Sequence, residues 1–404
     1  MSDWKEYSLK SLGNVITGKT PSKNNPADWG NEMPFVTPSD YKNYLKKATT
    51  SIRSLSKDGI ERLKNKVLPP KSVLVTCIGS DMGKVVMNEV ETITNQQINS
   101  IIPKKKSIDN DFLYYCLVAM YDLLRVYGGD GTAVPIVNKG DFENLEILLP
   151  SLPEQKAIAS VLSSLDDKIV LLHRQNKTLE AMVETIFRQW FVEEAQDDWE
   201  SVCLEDHIDA YRGLSYKGSG LSESGIGLPM HNLNSVYEGG GYKETGIKFY
   251  SGEFKERHLI RPGDVIVANT EQGHEFKLIG FPAIVPKCFG DIGLFSQHIY
   301  RLIPKTNSSV TTEYLYYLLM TPLVREQITA ATNGSTVNML AIDGLQRPEF
   351  KLPPREKIAH FTRQVKLLWK KKDINESQIR TLEKLRDTLL PKLMSGEVRV
   401  EYEN

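Results

Sequence analysis

The sequence is poor in the residues that build metal and disulfide chemistry. Its 404 residues hold four cysteines, Cys77, Cys116, Cys203 and Cys288, spaced too widely for a zinc pattern or a dense disulfide framework. Reduced thiols of a cytosolic protein are the expectation. The seven histidines are scattered, and no H-E-x-x-H, C-x-x-C or nucleophile elbow occurs. No stretch approaches the ~18 apolar residues of a membrane span. The start, Met1-Ser2-Asp3-Trp4-Lys5-Glu6, has no apolar core of a signal peptide. These absences predict a cytoplasmic location and no membrane partner. Positive charge is not in excess either: 50 Lys and Arg face 51 Asp and Glu, a net charge of −1. A protein that binds nucleic acid unaided normally leans on phosphate contacts, so such a role here needs local patches and help from other subunits. Carboxylates are plentiful without a distinctive pair. The expectation is a chain that is not an enzyme, with no metal site and no cofactor of its own.

What the chain has instead is repetition. Leu149-Pro150-Ser151-Leu152-Pro153-Glu154-Gln155-Lys156-Ala157-Ile158-Ala159 returns about 200 residues later as Leu352-Pro353-Pro354-Arg355-Glu356-Lys357-Ile358-Ala359. Trp4-Lys5-Glu6-Tyr7-Ser8-Leu9 is echoed by Trp199-Glu200-Ser201-Val202-Cys203-Leu204. Leu68-Pro69-Pro70-Lys71-Ser72-Val73-Leu74-Val75 is echoed by Ile260-Arg261-Pro262-Gly263-Asp264-Val265-Ile266-Val267, a turn and then an apolar β-branched run. Asn95-Gln96-Gln97-Ile98 matches Ser296-Gln297-His298-Ile299, and Phe112-Leu113-Tyr114-Tyr115 matches Tyr314-Leu315-Tyr316-Tyr317 on short apolar helices. Gly131-Thr132-Ala133-Val134 parallels Gly334-Ser335-Thr336-Val337. The reading is an α+β chain with two similar mixed α/β globules, residues 1–153 and 196–353. Two long helical segments separate them, residues 154–195 and 354–404.

Both helical segments carry a heptad seam. In the first it runs through Ile158, Leu162, Leu165, Ile169, Leu172, Asn176, Leu179, Val183, Ile186 and Trp190. In the second it runs through Ile358, Phe361, Val365, Leu368, Lys372, Asn375, Ile379, Leu382, Arg386, Leu389 and Leu393. Antiparallel pairing sets Ile158 against Leu393, Ile169 against Leu382, Val183 against Leu368 and Asn176 against Asn375. Parallel pairing sets Asn176 against Lys372 or Ile379, a poorer partner. An antiparallel coiled coil with a pseudo-twofold internal repeat is therefore predicted. Leu385 is expected to replace Arg386 in the seam, leaving the arginine to reach Asp166 or Asp167. Pro391 is expected to bend or end the last turns. A segment of ~38 residues makes a rod of about 57 Å.

Gly13-Asn14-Val15-Ile16-Thr17-Gly18-Lys19-Thr20 fits the phosphate-loop pattern G-x-x-x-x-G-K-T. That chemistry needs a helix directly after it, and Pro21-Ser22-Lys23-Asn24-Asn25-Pro26 is a loop. A polar turn presenting Lys19 and Thr20 is the better reading. The Gly-rich polar loops are stronger candidates, since they carry the residue types that read base edges. In the first half these are Lys19, Thr20, Ser22, Thr37, Ser39, Ser80, Lys84, Gln96 and Gln97. In the second they are Arg212, Ser215, Tyr216, Lys217, Asn232, Asn234, Asn269, Gln272, His274, Gln297 and His298. Any one such loop is ordinarily just solvated. The matching positions in two halves lift the group above that.

Taken together, the Leu149-Pro150-x-Leu152-Pro153-Glu154-Gln155-Lys156 motif, the helix ending Phe187-Arg188-Gln189-Trp190-Phe191 and the terminus Leu389-Leu390-Pro391-Lys392-Leu393-Met394-Ser395-Gly396-Glu397 resemble the specificity subunit of type I restriction–modification systems. Gly18-Lys19-Thr20-Pro21-Ser22 is similar to the start of a target-recognition domain in that family. The resemblance covers the whole chain. The second half departs from it with Pro354-Arg355-Glu356 in place of Pro-Glu-Gln, and with Leu214-Ser215-Tyr216 in place of a Thr-Pro-Ser opening. The resemblance implies two target-recognition domains, each reading half of a bipartite sequence in double-stranded DNA. It implies helices that set the unread spacer and dock two methyltransferase subunits. Those partners use S-adenosylmethionine to methylate a flipped adenine, and a motor–nuclease subunit uses ATP. A stand-alone DNA-binding protein and a phosphate-loop nucleotide hydrolase are the competing readings.

Overall fold

The computed structural model describes residues 4–22, 24–129, 136–273, 275–334 and 337–401. The repeated Gly131 to Val134 segment, Ser335-Thr336 and the candidate His274 lie outside the described residues. The chain divides into two units, Met1–Asn176 with Ile374–Asn404, and Lys177–Asp373.

Each unit is built around the apolar run that the repeat shares. In the first, strand Val73–Thr76 lies inside a five-stranded sheet ordered Gly13–Thr17, Ile98–Pro103, Val73–Thr76, Val85–Asn88, Lys47–Ala48. Val73, Leu74 and Val75 are fully buried, as befits a strand covered on both faces. Burial of each such side chain is worth roughly 1.5–3 kcal/mol. In the second unit Val265–Ala268 takes the same place in a four-stranded sheet ordered Ile208–Arg212, Ile299–Pro304, Val265–Ala268, Pro282–Ile284. The likeness continues in a second sheet. Strand Met33–Val36 pairs antiparallel with Arg53–Leu55 and parallel with Ile93–Thr94. Strand Leu228–His231 pairs antiparallel with Lys248–Tyr250 and parallel with Gly293–Phe295. A third element closes each domain: Lys5–Ser8 on Glu146–Leu149, and Ser201–Cys203 on Glu349–Lys351. Helices Asn110–Ala119 and Thr312–Leu318 carry the tyrosine pairs, N-capped by the side chains of Asp109 and Thr311.

The long helices span Leu152–Arg188 and Arg355–Met394 and contribute to both units. They run antiparallel, as the phase of their seams predicts. In the first unit Ile158 and Leu162 share a core with Leu393, and Ile169 and Leu172 cluster with Ile379 and Leu382. In the second, Val183 packs in one core with Ile358, Phe361, Val365 and Leu368. Leu165, Leu179, Ile186, Leu368, Leu382 and Leu389 are only half-buried.

Two seam expectations are corrected. Leu385 is 44% exposed and does not replace Arg386. Arg386 itself stays half-buried, with Nη1 2.9 Å from Asp166 Oδ1. A charged group can sit there because the buried acid neutralises it, which apolar spacing alone does not show. Ile186 and Trp190 also yield the inner positions to the buried Phe187 and Phe191. Beyond Val183 the buried residues step by four rather than alternating four and three. The helix here faces an aromatic cluster in which Tyr314 and Tyr317 of the domain join Phe361 of the partner helix, and a π turn follows at Gln189–Glu193. Pro391 lies inside the second helix, which ends three residues later at Met394.

Candidate functional site

The polar loops of each unit hang on one short segment. In the first unit Lys19 N donates to Thr94 O (2.9 Å), Asn95 N to Val36 O (3.1 Å) and Cys77 N to Gln97 O (2.8 Å). Residues 94–97 thus gather the loops that start at Gly18, Thr37 and Cys77. In the second unit Leu214 N donates to Phe295 O (2.7 Å), Ser296 N to His231 O (2.9 Å) and Asn269 N to His298 O (3.1 Å). The two arrangements share these three bonds at matching positions. Both also need a glycine at the closest approach. A methyl on Gly18 would lie 2.1 Å from Asn95 O, and one on Gly213 would lie 2.2 Å from Ser296 O.

The candidate side chains fall into two sets. One set is used internally. Asn232 is buried, its Nδ2 donating to Gly246 O (2.6 Å) and its Oδ1 accepting from Asn234 N (2.9 Å). Asn269 is buried and donates Nδ2 to Gln297 O (2.9 Å). Gln97 accepts from Asn95 Nδ2 (2.7 Å), and the Thr37 hydroxyl donates to Asp40 Oδ2 (2.8 Å) in a capping box. These residues shape the loops. The other set faces solvent: Lys19, Ser22, Ser39, Ser80, Lys84 and Gln96 in the first unit, and Arg212, Ser215, Lys217, Asn234, Gln272, Gln297 and His298 in the second. Thr20 is half-buried and donates to Gln96 Oε1 (2.7 Å), which ties the first loop to the segment that gathers it. Lys84 pairs with Asp81 (2.6 Å). Gln297 Nε2 lies 3.3 Å from His298 Nε2, and His298 Nδ1 lies 3.3 Å from Thr270 Oγ1. Tyr216 is half-buried, its ring edge-on to Tyr250 and its hydroxyl 3.2 Å from Lys248 Nζ.

The phosphate-loop reading fails on backbone geometry. Gly13–Thr17 is a strand, and the next helical residues are the single turn Pro26–Asp28. The Gly18 and Lys19 amides that would cradle a phosphate already donate to Ile98 O and Thr94 O. Among the described residues no group of three or more His, Cys, Asp or Glu is placed to hold a metal ion. No described helix is long and apolar enough to cross a membrane.

Sequence reasoning missed three features around these loops. Lys46 is buried in the first unit, bonded to Asp111 (2.6 Å) and Ser163 (2.8 Å) beside the Tyr115–Asp166–Arg386 chain. Glu271 is buried beneath the loop that follows it. Arg125 and Arg325 donate to carbonyls of equivalent loops. The echo of Leu123-Leu124-Arg125 in Leu323-Val324-Arg325 was a legible signal for the last pair.

Comparison with known proteins agrees with this duplicated design. The chain matches the family model described as the type I restriction modification DNA specificity domain over residues 1–181 and again over 196–383. It is 28% identical over 422 residues to the MjaIX type I restriction enzyme specificity subunit of Methanocaldococcus jannaschii, covering 99% of this chain and 94% of that one. It is 37% identical over 150 residues to the HindI specificity subunit of Haemophilus influenzae, covering 37% and 32% of the two chains. Its fold is similar to the crystal structure of a type I restriction–modification S subunit from M. genitalium, with a TM-score of 0.58 and 17% identity over 97% and 96% of the chains. A twice-built loop cluster on an antiparallel helix pair defines a protein of the specificity-subunit class. The chain belongs to the type I restriction–modification DNA specificity family and is a specificity subunit of such a system.

Proposed function

We propose that each unit reads one half of a bipartite target in double-stranded DNA. Residues 1–153 and 196–353 serve as the two target-recognition domains. The helical segments 154–195 and 354–404 set the unread spacer and dock two methyltransferase subunits. A motor–nuclease subunit joins them in the full complex. The single observation that carries this reading is the repetition of three backbone bonds of the loop-gathering segment, 94–97 in one unit and 295–298 in the other, with different exposed side chains on the loops each gathers. A shared framework with divergent loops suits two different half-sites. Gln96 and Gln297 are of the type that pairs with adenine, and Lys19, Lys84, Arg212 and Lys217 of the type that pairs with guanine or phosphate. The internally bonded Asn232, Asn269, Gln97 and Thr37 act as loop supports in this scheme. The near-neutral total charge leaves much of the phosphate attraction to the partners. Specificity subunits are non-catalytic, and the chemistry belongs to those partners.

The test is co-expression with the neighbouring methyltransferase, followed by mapping of methylated adenines in host DNA. A split motif with fixed spacing that disappears when this chain is omitted is the expected result. Absence of a complex and of new methylation would sink the assignment.

A further inference from the structure

The hairpin between strands Val265–Ala268 and Pro282–Ile284 is organised around one carboxylate. Glu271, 8% exposed, accepts from three successive backbone amides: Lys277 N (2.9 Å) on Oε1, and Leu278 N (3.0 Å) and Ile279 N (2.9 Å) on Oε2. A second charged group fastens the same turn from outside. Arg325, on helix Pro322–Ala330, donates Nη1 to Ile279 O (2.7 Å) and Nη2 to Phe276 O (3.1 Å), with its guanidinium 3.6 Å from the centre of the Phe281 ring. Phe276 sits at φ +50°, a left-handed conformation that a non-glycine residue keeps only where its surroundings enforce it. Gly280 leaves room for the arginine, since a methyl there would meet Arg325 Nη1 at 2.6 Å. Burial lowers the Arg325 guanidinium to about 10, so it remains a cation at neutral pH.

The first unit has a counterpart. The hairpin between Val73–Thr76 and Val85–Asn88 holds the equivalent loop, and Arg125 on helix Tyr121–Gly129 donates Nη1 to Ser80 O (3.2 Å). This loop is shorter, and the Thr76 hydroxyl does the inner work by accepting from Lys84 N (3.0 Å) and donating to Asp81 O. Two hairpins of different length and sequence are thus each tied down by an arginine at the same repeat position. Bulk loop stability does not require that coincidence, whereas a loop that must present side chains in one geometry does.

We propose that Glu271 with Arg325 in the second unit, and Arg125 in the first, are positioning residues that fix the two recognition hairpins and so determine the specificity of one half-site each. This rests on the bipartite reading above. The charged groups touch loop backbone, and they act on base discrimination through the side chains the loop presents, among them Gln272 in one unit and Ser80 and Lys84 in the other.

The experiment is methylation mapping with the co-expressed complex carrying Glu271→Gln, Arg325→Met, Arg325→Lys or Arg125→Met. In Glu271→Gln the new side chain offers one acceptor oxygen and an amide donor to a nest of three donors. With Glu271→Gln and Arg325→Met, one half of the motif is expected to lose about tenfold in discrimination against wrong bases, the scale of one displaced base contact. The other half and the spacer stay as in the wild type. Arg125→Met is expected to relax the opposite half. Arg325→Lys, which keeps one donor to the carbonyls, restores part of the loss. An unchanged motif, or equal decay of both halves, overturns the proposal. Should neither second-unit variant assemble, Arg125→Met decides, because it sits on an exposed helix position. A wild-type complex without a split motif would instead overturn the bipartite reading itself.

Discussion

Asn375 donates its side-chain amide to Asn176 Oδ1 at 2.8 Å, in an apolar stretch of the seam flanked by Leu172 and Ile379. Asn375 is fully buried. A buried asparagine layer of this kind fixes the register of a helix pair and lowers its stability relative to leucine. Register in this protein is the geometric basis of the proposed spacer. Asn375→Leu alone leaves Asn176 Oδ1 without this donor and is expected to cost about 1–3 kcal/mol in urea unfolding. Asn176→Leu with Asn375→Leu is expected to recover that loss and exceed wild-type stability, while the spacing in the methylation map broadens. A double variant no more stable than the single one would show that the layer has another role.

Arg386 and Asp166 form the second polar contact in the seam. Asp166 also accepts from Tyr115 Oη at 2.5 Å, which ties the first globule to its helix pair. The Asp166 side chain is 9% exposed and that of Arg386 27%. Removing one partner of a pair this deep leaves an uncompensated charge, so Arg386→Leu is expected to destabilise the first unit by about 3 kcal/mol. Adding Asp166→Leu is expected to return most of it, because the apolar pair has no desolvation cost. Denaturant midpoints of the two variants decide this, and equal midpoints would refute it.

Lys71 and Gly263 occupy the same turn of the repeat, with φ of 68° and 91°. The turns match in their bonds as well: Lys71 N donates to Asn88 O (2.7 Å) and Gly263 N to Val285 O (2.8 Å). Only the second unit has the residue that adopts this conformation freely. The left-handed region costs an L residue about 1–2 kcal/mol, and glycine returns about 0.5–1 kcal/mol of that as unfolded-state entropy. Lys71→Gly is therefore expected to stabilise the first unit by about 0.5–1 kcal/mol, and Gly263→Ala to destabilise the second by a similar amount. Thermal unfolding of both variants checks the opposite signs.

Much of this layout was legible because the signals were long or duplicated. The antiparallel helix pair followed from where Asn176 and Asn375 interrupt two seams, a pattern spread over many turns. The central strands followed from Val73-Leu74-Val75 and Val265-Ile266-Val267 behind matching turns. Legibility failed where one tertiary contact reversed a local preference. Arg386 stays in the seam because Asp166 meets it there, and Phe187 displaces Ile186 because an aromatic cluster of Tyr314, Tyr317 and Phe361 faces that turn. The site was legible as loops and not as side chains. Polar composition marks Asn232 and Gln96 alike, and only the fold separates the asparagine bonded to Gly246 from the glutamine left in solvent.

His231 links acidity to the second loop cluster. Burial lowers it from the ordinary 6.5 to about 4. Its Nδ1 lies 2.6 Å from the Tyr242 hydroxyl, and its carbonyl accepts from Ser296 N in the loop-gathering segment. Below about pH 6.5 the unfolded chain takes up a proton at this site while the folded chain does not. Its contribution is therefore fully present above pH 6.5 and is lost as the pH falls towards 4. At pH 5 the loss amounts to about 2 kcal/mol. His231→Gln keeps a polar group for Tyr242 and does not titrate. Hydrogen exchange in strand Leu228–His231 is expected to accelerate between pH 7 and 5, beyond the intrinsic change, in the wild type and much less in the variant. Equal acceleration in both would place the acid sensitivity of this unit elsewhere.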